Sequence, residues 1–154
     1  MKISVTIEAK AEAGTISREI LKDVIKTVLT AEQTGPNSEV SLLVTSQQKV
    51  HDLNRIYLDE DRPTDVLSFP MLPPDLDTAG FVTPPDGLKH LGEIIISLPQ
   101  ALTQAAEHGH TTNREITILT IHGILHLLGY DHGEPEEEAR MKAREAAIFK
   151  MIHD

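Results

Sequence analysis

Three histidines within eleven residues, His122, His126 and His132, constrain the fold of this chain more than any other feature. His122 and His126 are four residues apart, so on a helix their side chains lie on one face, one turn apart. Gly129 predicts the end of that helix, because glycine adopts a left-handed backbone at little cost, and the chain can then turn His132 towards the other two. The segment therefore predicts a central helix that ends beside a metal site.

The predicted ligand set is that of a catalytic zinc centre. Three neutral imidazoles leave a divalent ion its full charge and one open position for water. We predict one Zn²⁺ per chain, with Ni²⁺ able to take its place in purified samples because imidazole also suits nickel. The spacing matches the metzincin proteases, but their catalytic Glu follows the first His, and Gly123 stands there in this chain. A protease is therefore disfavoured, while the ligand spacing is kept.

The remaining periodicity predicts about four strands and about five helices, over residues 1–154 as one domain. The predicted strands are 2–8, 40–45, 64–69 and 93–98, and the predicted helices are 15–29, 47–57, 100–108, 116–128 and 135–152. Frequent proline and glycine between residues 70 and 91 indicate a long loop or a loose hairpin.

Candidate residues outside the histidine triplet carry weaker signals. Thr112 and Glu115 have the spacing of a capping box, but Glu115 also shares a helical face with His122, so a capping and a catalytic role both stay open. Asp131 precedes His132, and we expect it to hydrogen-bond a ligating imidazole rather than to accept protons itself. Tyr130 is expected to pack or hydrogen-bond, because an unperturbed phenol titrates near 10. The other histidines lack ligand spacing and are predicted to be surface residues: His51, His90, His108, His110 and His153.

Charge and composition limit the partners. The formal net charge is -10, and the excess of acidic residues lies entirely from residue 58 onward. This weighs against broad, nonspecific binding of duplex nucleic acid, which needs clustered Lys and Arg. A bound divalent cation would nevertheless make the electrostatic potential positive close to itself. The chain has no cysteine, and its N-terminus alternates polar and apolar residues, unlike a signal peptide. We therefore predict a cytoplasmic protein with no membrane partner.

Residues 122–132 are similar to the signature H-G-x-L-H-L-x-G-Y-D-H of the bacterial YbeY family of rRNA maturation endoribonucleases. Residues 63–70 (PTDVLSFP) resemble a second segment of that family, and residues 92–97 (GEIIIS) resemble its G-D-I-x-I-S. The resemblance covers nearly the whole chain. It implies a metal-dependent RNase with an α+β fold, in which a small mixed sheet is packed with helices and the three signature histidines are the metal ligands. It also implies single-stranded RNA as substrate, processing of the 16S rRNA precursor at its 3′ end, ribosome quality control, and ribosomal particles or ribosomal proteins as partners.

The chain departs from the family at residue 58. An arginine associated with activity usually ends the family's L-N-x-x-[YF]-R segment, and residues 53–58 (LNRIYL) end in Leu58 instead. Arg55 lies three residues earlier, on the same face if the helix continues, and Arg62 lies four residues later. We hypothesise that Arg55 supplies the positive group for phosphate.

Three functions remain open from the sequence. The first is an endoribonuclease, in which either water activated at the metal or the 2′-OH of the RNA attacks the phosphodiester. The second is a metallohydrolase of peptides or small molecules, which the metzincin-like spacing favours and Gly123 disfavours. The third is a non-catalytic ribosome-assembly factor with a structural metal, which the displaced arginine makes plausible.

Overall fold

The computed structural model describes residues 1–8, 17–58, 65–71, 87–130 and 133–152. Within these ranges the chain forms four strands and five helices. In chain order they are β1 (Lys2–Ile7), α1 (Arg18–Ala31), β2 (Ser38–Thr45), α2 (Gln47–Leu58), β3 (Val66–Pro70), β4 (Lys89–Ser97), α3 (Leu98–His108), α4 (Thr112–Leu127) and α5 (Pro135–Ile152).

The four strands form one mixed sheet in the order β1-β2-β4-β3. β1 pairs with β2 and β2 pairs with β4 in parallel, whereas β3 pairs with β4 in the antiparallel direction. β3 therefore lies at an edge of the sheet, where Pro70 is tolerated although it has no N–H to donate. The predicted α+β fold, with its small mixed sheet and five helices, is confirmed.

The two faces of the sheet have different cores. Ile94 and Ile96 of β4 are fully buried in the main core, together with residues of α1 and α4. Ile95 points to the other face, because successive strand side chains alternate, and packs with Val50 of α2 and Leu67 of β3. α2 thus lies on the face of the sheet opposite α4.

Helix α4 is the central helix of the domain. Ten of its sixteen residues are buried, on more than one face of the helix. A helix that is apolar on nearly all sides must be enclosed by other elements, and α4 contacts α1, α3, α5, β3 and β4. The two histidines near its C-terminal end are partly exposed, so this end reaches the surface of the domain.

Some predicted boundaries are wrong by a few residues. β4 begins at Lys89 rather than at residue 93, because β2 offers partners for its first residues, with Ser38 opposite Lys89 and Glu39 opposite His90. The predicted loop 70–91 is shortened accordingly, and its residues 72–86 lie outside the described ranges. The strand ends at Ser97 instead of residue 98, since the Ser97 hydroxyl caps α3 by accepting from the backbone N–H of Gln100 at 3.3 Å.

Across the described ranges, none of the helices is long and apolar enough to cross a membrane.

Candidate metal centre

The structure brings His122 and His126 together near the C-terminal end of α4. Their ring centroids are 4.9 Å apart and the ring planes are inclined by 74°. Helical geometry alone explains this, because residues four apart lie on one face. Gly129 follows the helix with a φ of 101°, the left-handed backbone that was predicted for its end. The third predicted ligand, His132, and the neighbouring Asp131 lie outside the described residues.

Gly123 allows α4 to approach the sheet closely. A Cβ atom at this position would lie 2.9 Å from Cγ2 of Ile94, whose side chain is fully buried in β4. The protease-type glutamate would therefore have to enter the core between α4 and β4, where an unpaired carboxylate is costly to bury. The packing explains why the metzincin base is absent while the histidine spacing is present.

The segment 63–70 that resembles the family is joined to the histidine helix by a hydrogen bond. The Ser68 hydroxyl of β3 donates to the carbonyl oxygen of Gly123 at 3.1 Å. Asp65, at the start of the same segment, accepts from the backbone N–H of Val66 at 2.7 Å and from the Gln104 amide at 3.1 Å. These contacts hold β3 against α3 and α4, so both side chains have structural partners here.

Glu145 of α5 holds the ring of His122. Its Oε1 lies 3.0 Å from Nδ1 of His122. A carboxylate acceptor at Nδ1 favours the proton on that nitrogen, which leaves the Nε2 lone pair for a metal. Sequence reasoning missed Glu145, although a signal existed. The residue lies on the same face of α5 as the buried Met141 and Ile148, where a charged residue is unusual.

Tyr130 anchors the chain just after α4. Its hydroxyl donates to Oε1 of Glu32 at 2.6 Å, and the Arg144 guanidinium donates to Oε2 of the same carboxylate from two nitrogens, at 2.9 and 2.5 Å. The hydrogen bond to Glu32, with burial, raises the pKa of Tyr130 above its usual value of 10. Tyr130 therefore stays protonated and acts as a hydrogen-bonding residue, as predicted.

Glu115 does not form the predicted capping box. The N-cap of α4 is Thr111, whose hydroxyl accepts from the backbone N–H of Arg114 at 3.1 Å, so the cap lies one residue before the predicted Thr112, which is the first residue of the helix. The Glu115 carboxylate turns instead towards the end of α3, where its Oε1 lies 3.1 Å from Nδ1 of His108 and 3.3 Å from Nδ1 of His110. The capping prediction is wrong because this tertiary contact competes for the carboxylate.

His108, His110 and Glu115 form a second group that could hold a metal ion. One ligand atom from each lies within 4.8 Å of the others. His108 is exposed, as predicted for a surface residue, whereas His110 is only partly exposed, and both contact the Glu115 carboxylate. His90 likewise has a partner, the carboxylate of Glu39 on the neighbouring strand. A histidine on either side of Gly109 was the sequence signal for this group.

Arg55 lies on α2, on the face of the sheet opposite α4, and its guanidinium is about half exposed. It forms an ion pair with Asp52 at 3.8 Å, one helical turn away. The second candidate cation, Arg62, lies outside the described residues.

Known proteins resemble this chain over almost its whole length. The family model described as Endoribonuclease YbeY matches residues 5–153. A protein named Endoribonuclease YbeY from Dehalococcoides mccartyi is 46% identical over 143 residues, covering 90% of this chain and 89% of its own. One of the same name from Chloroflexus aurantiacus is 44% identical over 149 residues, covering 96% and 95%.

The fold agrees with a solved structure as well. The solution structure of a protein from Thermotoga maritima superposes with a TM-score of 0.62 at 25% identity, covering 97% of this chain and 88% of that one. The sequence and structural matches therefore coincide over the same single domain, and the chain belongs to the YbeY family of endoribonucleases.

Proposed function

We propose that this protein is a zinc-dependent endoribonuclease that cuts single-stranded rRNA, with the ion held by His122, His126 and His132. The observation that carries the proposal is the adjacent pair of imidazoles on α4, one of them backed by Glu145, in a chain of an endoribonuclease family. The substrate is the 3′ end of the 16S rRNA precursor, within ribosome quality control in the cytoplasm. Ribosomal particles or ribosomal proteins are the proposed partners.

The donor set fits a borderline divalent cation. Nδ1 of His122 faces Glu145, so Nε2 would be the atom available to a metal, and the ring of His126 lies beside it. A bound zinc ion supplies activation of water near neutral pH and neutralises charge that develops on a phosphodiester. Asp131 would orient one of the imidazoles by a hydrogen bond. A proton-transfer role for Glu115 stays a prediction. Seven residues of helix, about 10 Å along the axis, separate Glu115 from His122.

The test of this function uses the tag-free chain, stripped of metal and reloaded with zinc. It is offered single-stranded RNA that carries the 3′ end of the 16S precursor, with casein in parallel. We expect zinc-dependent RNA cleavage and intact casein. Proteolysis without RNA cleavage would favour the metallohydrolase, whereas a wild-type chain that never cuts RNA would favour the assembly factor. A 2′,3′-cyclic phosphate at the new ends would identify the RNA 2′-OH as nucleophile, whereas a 5′-phosphate with a free 3′-OH would identify water.

Replacing Arg55 tests the proposed phosphate contact. A charged hydrogen bond contributes about 1.5–3 kcal/mol, so Arg55→Ala is expected to lower kcat/KM for RNA by about 10–100-fold if this guanidinium binds phosphate. Arg62→Ala is measured beside it, and Arg18→Ala, an exposed arginine at the start of α1, is the control. Unchanged RNA cleavage in both Arg55→Ala and Arg62→Ala would remove the idea that either arginine replaces the cation missing at Leu58.

Removing the Glu145 carboxylate is expected to weaken zinc binding. Partners that orient a ligating histidine typically contribute 10–100-fold in metal affinity, so Glu145→Ala should raise the zinc dissociation constant by about that factor. Glu145→Gln retains an acceptor oxygen for His122 and should lose less. Competition with a chromophoric chelator measures the affinities, and Glu136→Gln in the exposed first turn of α5 is the control. Equal zinc affinity in wild type and Glu145→Ala would show that the contact does not orient a ligand.

A further inference from the structure

The group formed by His108, His110 and Glu115 lies at the junction of α3 and α4, apart from the proposed zinc centre. His108 ends α3, Gly109 turns the chain with a φ of 69°, and His110 follows directly. The turn is held by backbone hydrogen bonds from Gly109 and His110 to the last turn of α3. Both rings thereby reach the carboxylate of Glu115 in the first turn of α4. The end of α3 and the first turn of α4 are therefore joined through the carboxylate of Glu115.

The burial of Glu115 makes this junction unusual. Its side chain is only 3% exposed, whereas those of His108 and His110 are 53% and 25% exposed. Among the residues that the structure describes, the ion-pair partners of this carboxylate are those two histidines. Hydrogen bonds with the two imidazoles stabilise this buried carboxylate, and a divalent cation would neutralise its charge directly.

The distances from Glu115 to the two imidazoles match those of a coordination shell. Zinc bonds to histidine nitrogen and carboxylate oxygen are about 2.0–2.1 Å, so two ligand atoms of a tetrahedral site lie about 3.3 Å apart. Oε1 of Glu115 lies 3.1 and 3.3 Å from the two Nδ1 atoms, and all three ligand atoms lie within 4.8 Å. Without an ion, an imidazole whose Nδ1 carries the proton donates to Glu115, and binding an ion through Nδ1 requires that proton to move to Nε2.

We propose that His108, His110 and Glu115 bind a second divalent ion of the zinc, cobalt or nickel class. Two imidazoles and one carboxylate suit these borderline metals, whereas Mg²⁺ and Ca²⁺ prefer all-oxygen ligands. One ion cannot serve both sites, since Glu115 precedes His122 by seven residues of α4, about 10 Å along the axis. The second ion clamps the end of α3 to the start of the helix that carries His122 and His126. The proposal does not depend on RNA cleavage.

The test uses the tag-free, metal-stripped full chain, with Zn²⁺ alone as the probe. The background variant His122→Ala/His126→Ala removes two proposed ligands of the other centre. Calorimetric titration is expected to show one zinc ion bound to this background, and zinc at about 100 times its dissociation constant should raise Tm by about 5–10 °C. Adding His108→Ala or Glu115→Gln should abolish both effects, and adding His51→Ala, a histidine of α2, should change neither.

Two results would overturn this proposal. One is a background variant that binds no zinc. The other is that zinc binding and the Tm shift persist unchanged both when His108→Ala is added to the background variant and when Glu115→Gln is added to it. Because His108 is exposed, its alanine variant is expected to fold, which circular dichroism in the absence of zinc verifies. Failure of RNA cleavage in any variant bears on the proposed function alone, so the two proposals fail separately.

Discussion

Replacing His126 by alanine is expected to abolish RNA cleavage and to leave the fold largely intact. The imidazole is one of the proposed zinc ligands, and a metal centre contributes several kcal/mol of charge stabilisation in the transition state, so kcat/KM should fall by at least about 1,000-fold. The side chain is only partly buried and does not belong to either hydrophobic core. Its loss should therefore cost little packing energy.

Three measurements on His126→Ala separate catalysis from folding. They are kcat/KM for single-stranded RNA, zinc content after equilibrium dialysis, and the free energy of unfolding in urea. His51→Ala is the matched control, since it removes a partly buried histidine of α2. Wild-type cleavage by His126→Ala would contradict the zinc mechanism. An unfolded variant, combined with a wild type that never cuts RNA, would instead indicate a structural metal.

Replacing Gly92 by alanine is expected to destabilise the protein by about 3–5 kcal/mol, the range of severe backbone and core disruption. Gly92 has a φ of 140°, and an added Cβ would lie 2.2 Å from the backbone carbonyl oxygen of Phe69 and 3.0 Å from Cδ2 of Leu127. The carbonyl cannot simply move aside, because β3 is paired with β4 at this point, with Pro70 opposite Gly92. Relief therefore requires β3 and β4 to separate.

Gly35→Ala is the matched control for Gly92→Ala. Gly35 also has a positive φ, 97°, but an added Cβ there would meet no atom within 4 Å. It reports the cost of backbone strain alone, expected at about 1–2 kcal/mol. Urea unfolding of both variants and the wild type measures the difference. Equal destabilisation by the two substitutions would show that the close approach of β3 to Gly92 adds nothing to the free-energy cost of the substitution.

The local features of the site were predictable from the sequence. His122 and His126 face the same way because a helix repeats every 3.6 residues, and Gly129 ends that helix because only glycine adopts its positive φ cheaply. Most of the elements follow from periodicities of the same kind, whereas the fold class was implied by the family resemblance. The sequence shows that Gly123 stands where the protease base would be. The reason for a glycine there is its close contact with Ile94, which depends on the packing of α4 on β4.

Contacts between distant residues were not predictable in this way. Glu145 follows His122 by 23 residues and meets it only because α5 packs on α4. Similarly, the first residues of β4 are strand because β2 lies beside them, although their own sequence indicates a loop.

The sequence by itself determined the helix, the histidine pair near its end and the family, since each depends on residues that are close along the chain or on their order. Only the tertiary structure decided which groups surround those histidines, and that Glu115 joins His108 and His110 rather than capping its own helix. The physical reason is that backbone dihedrals and side-chain periodicity are local properties. The partner of a carboxylate, by contrast, depends on which elements the burial of apolar surface brings together.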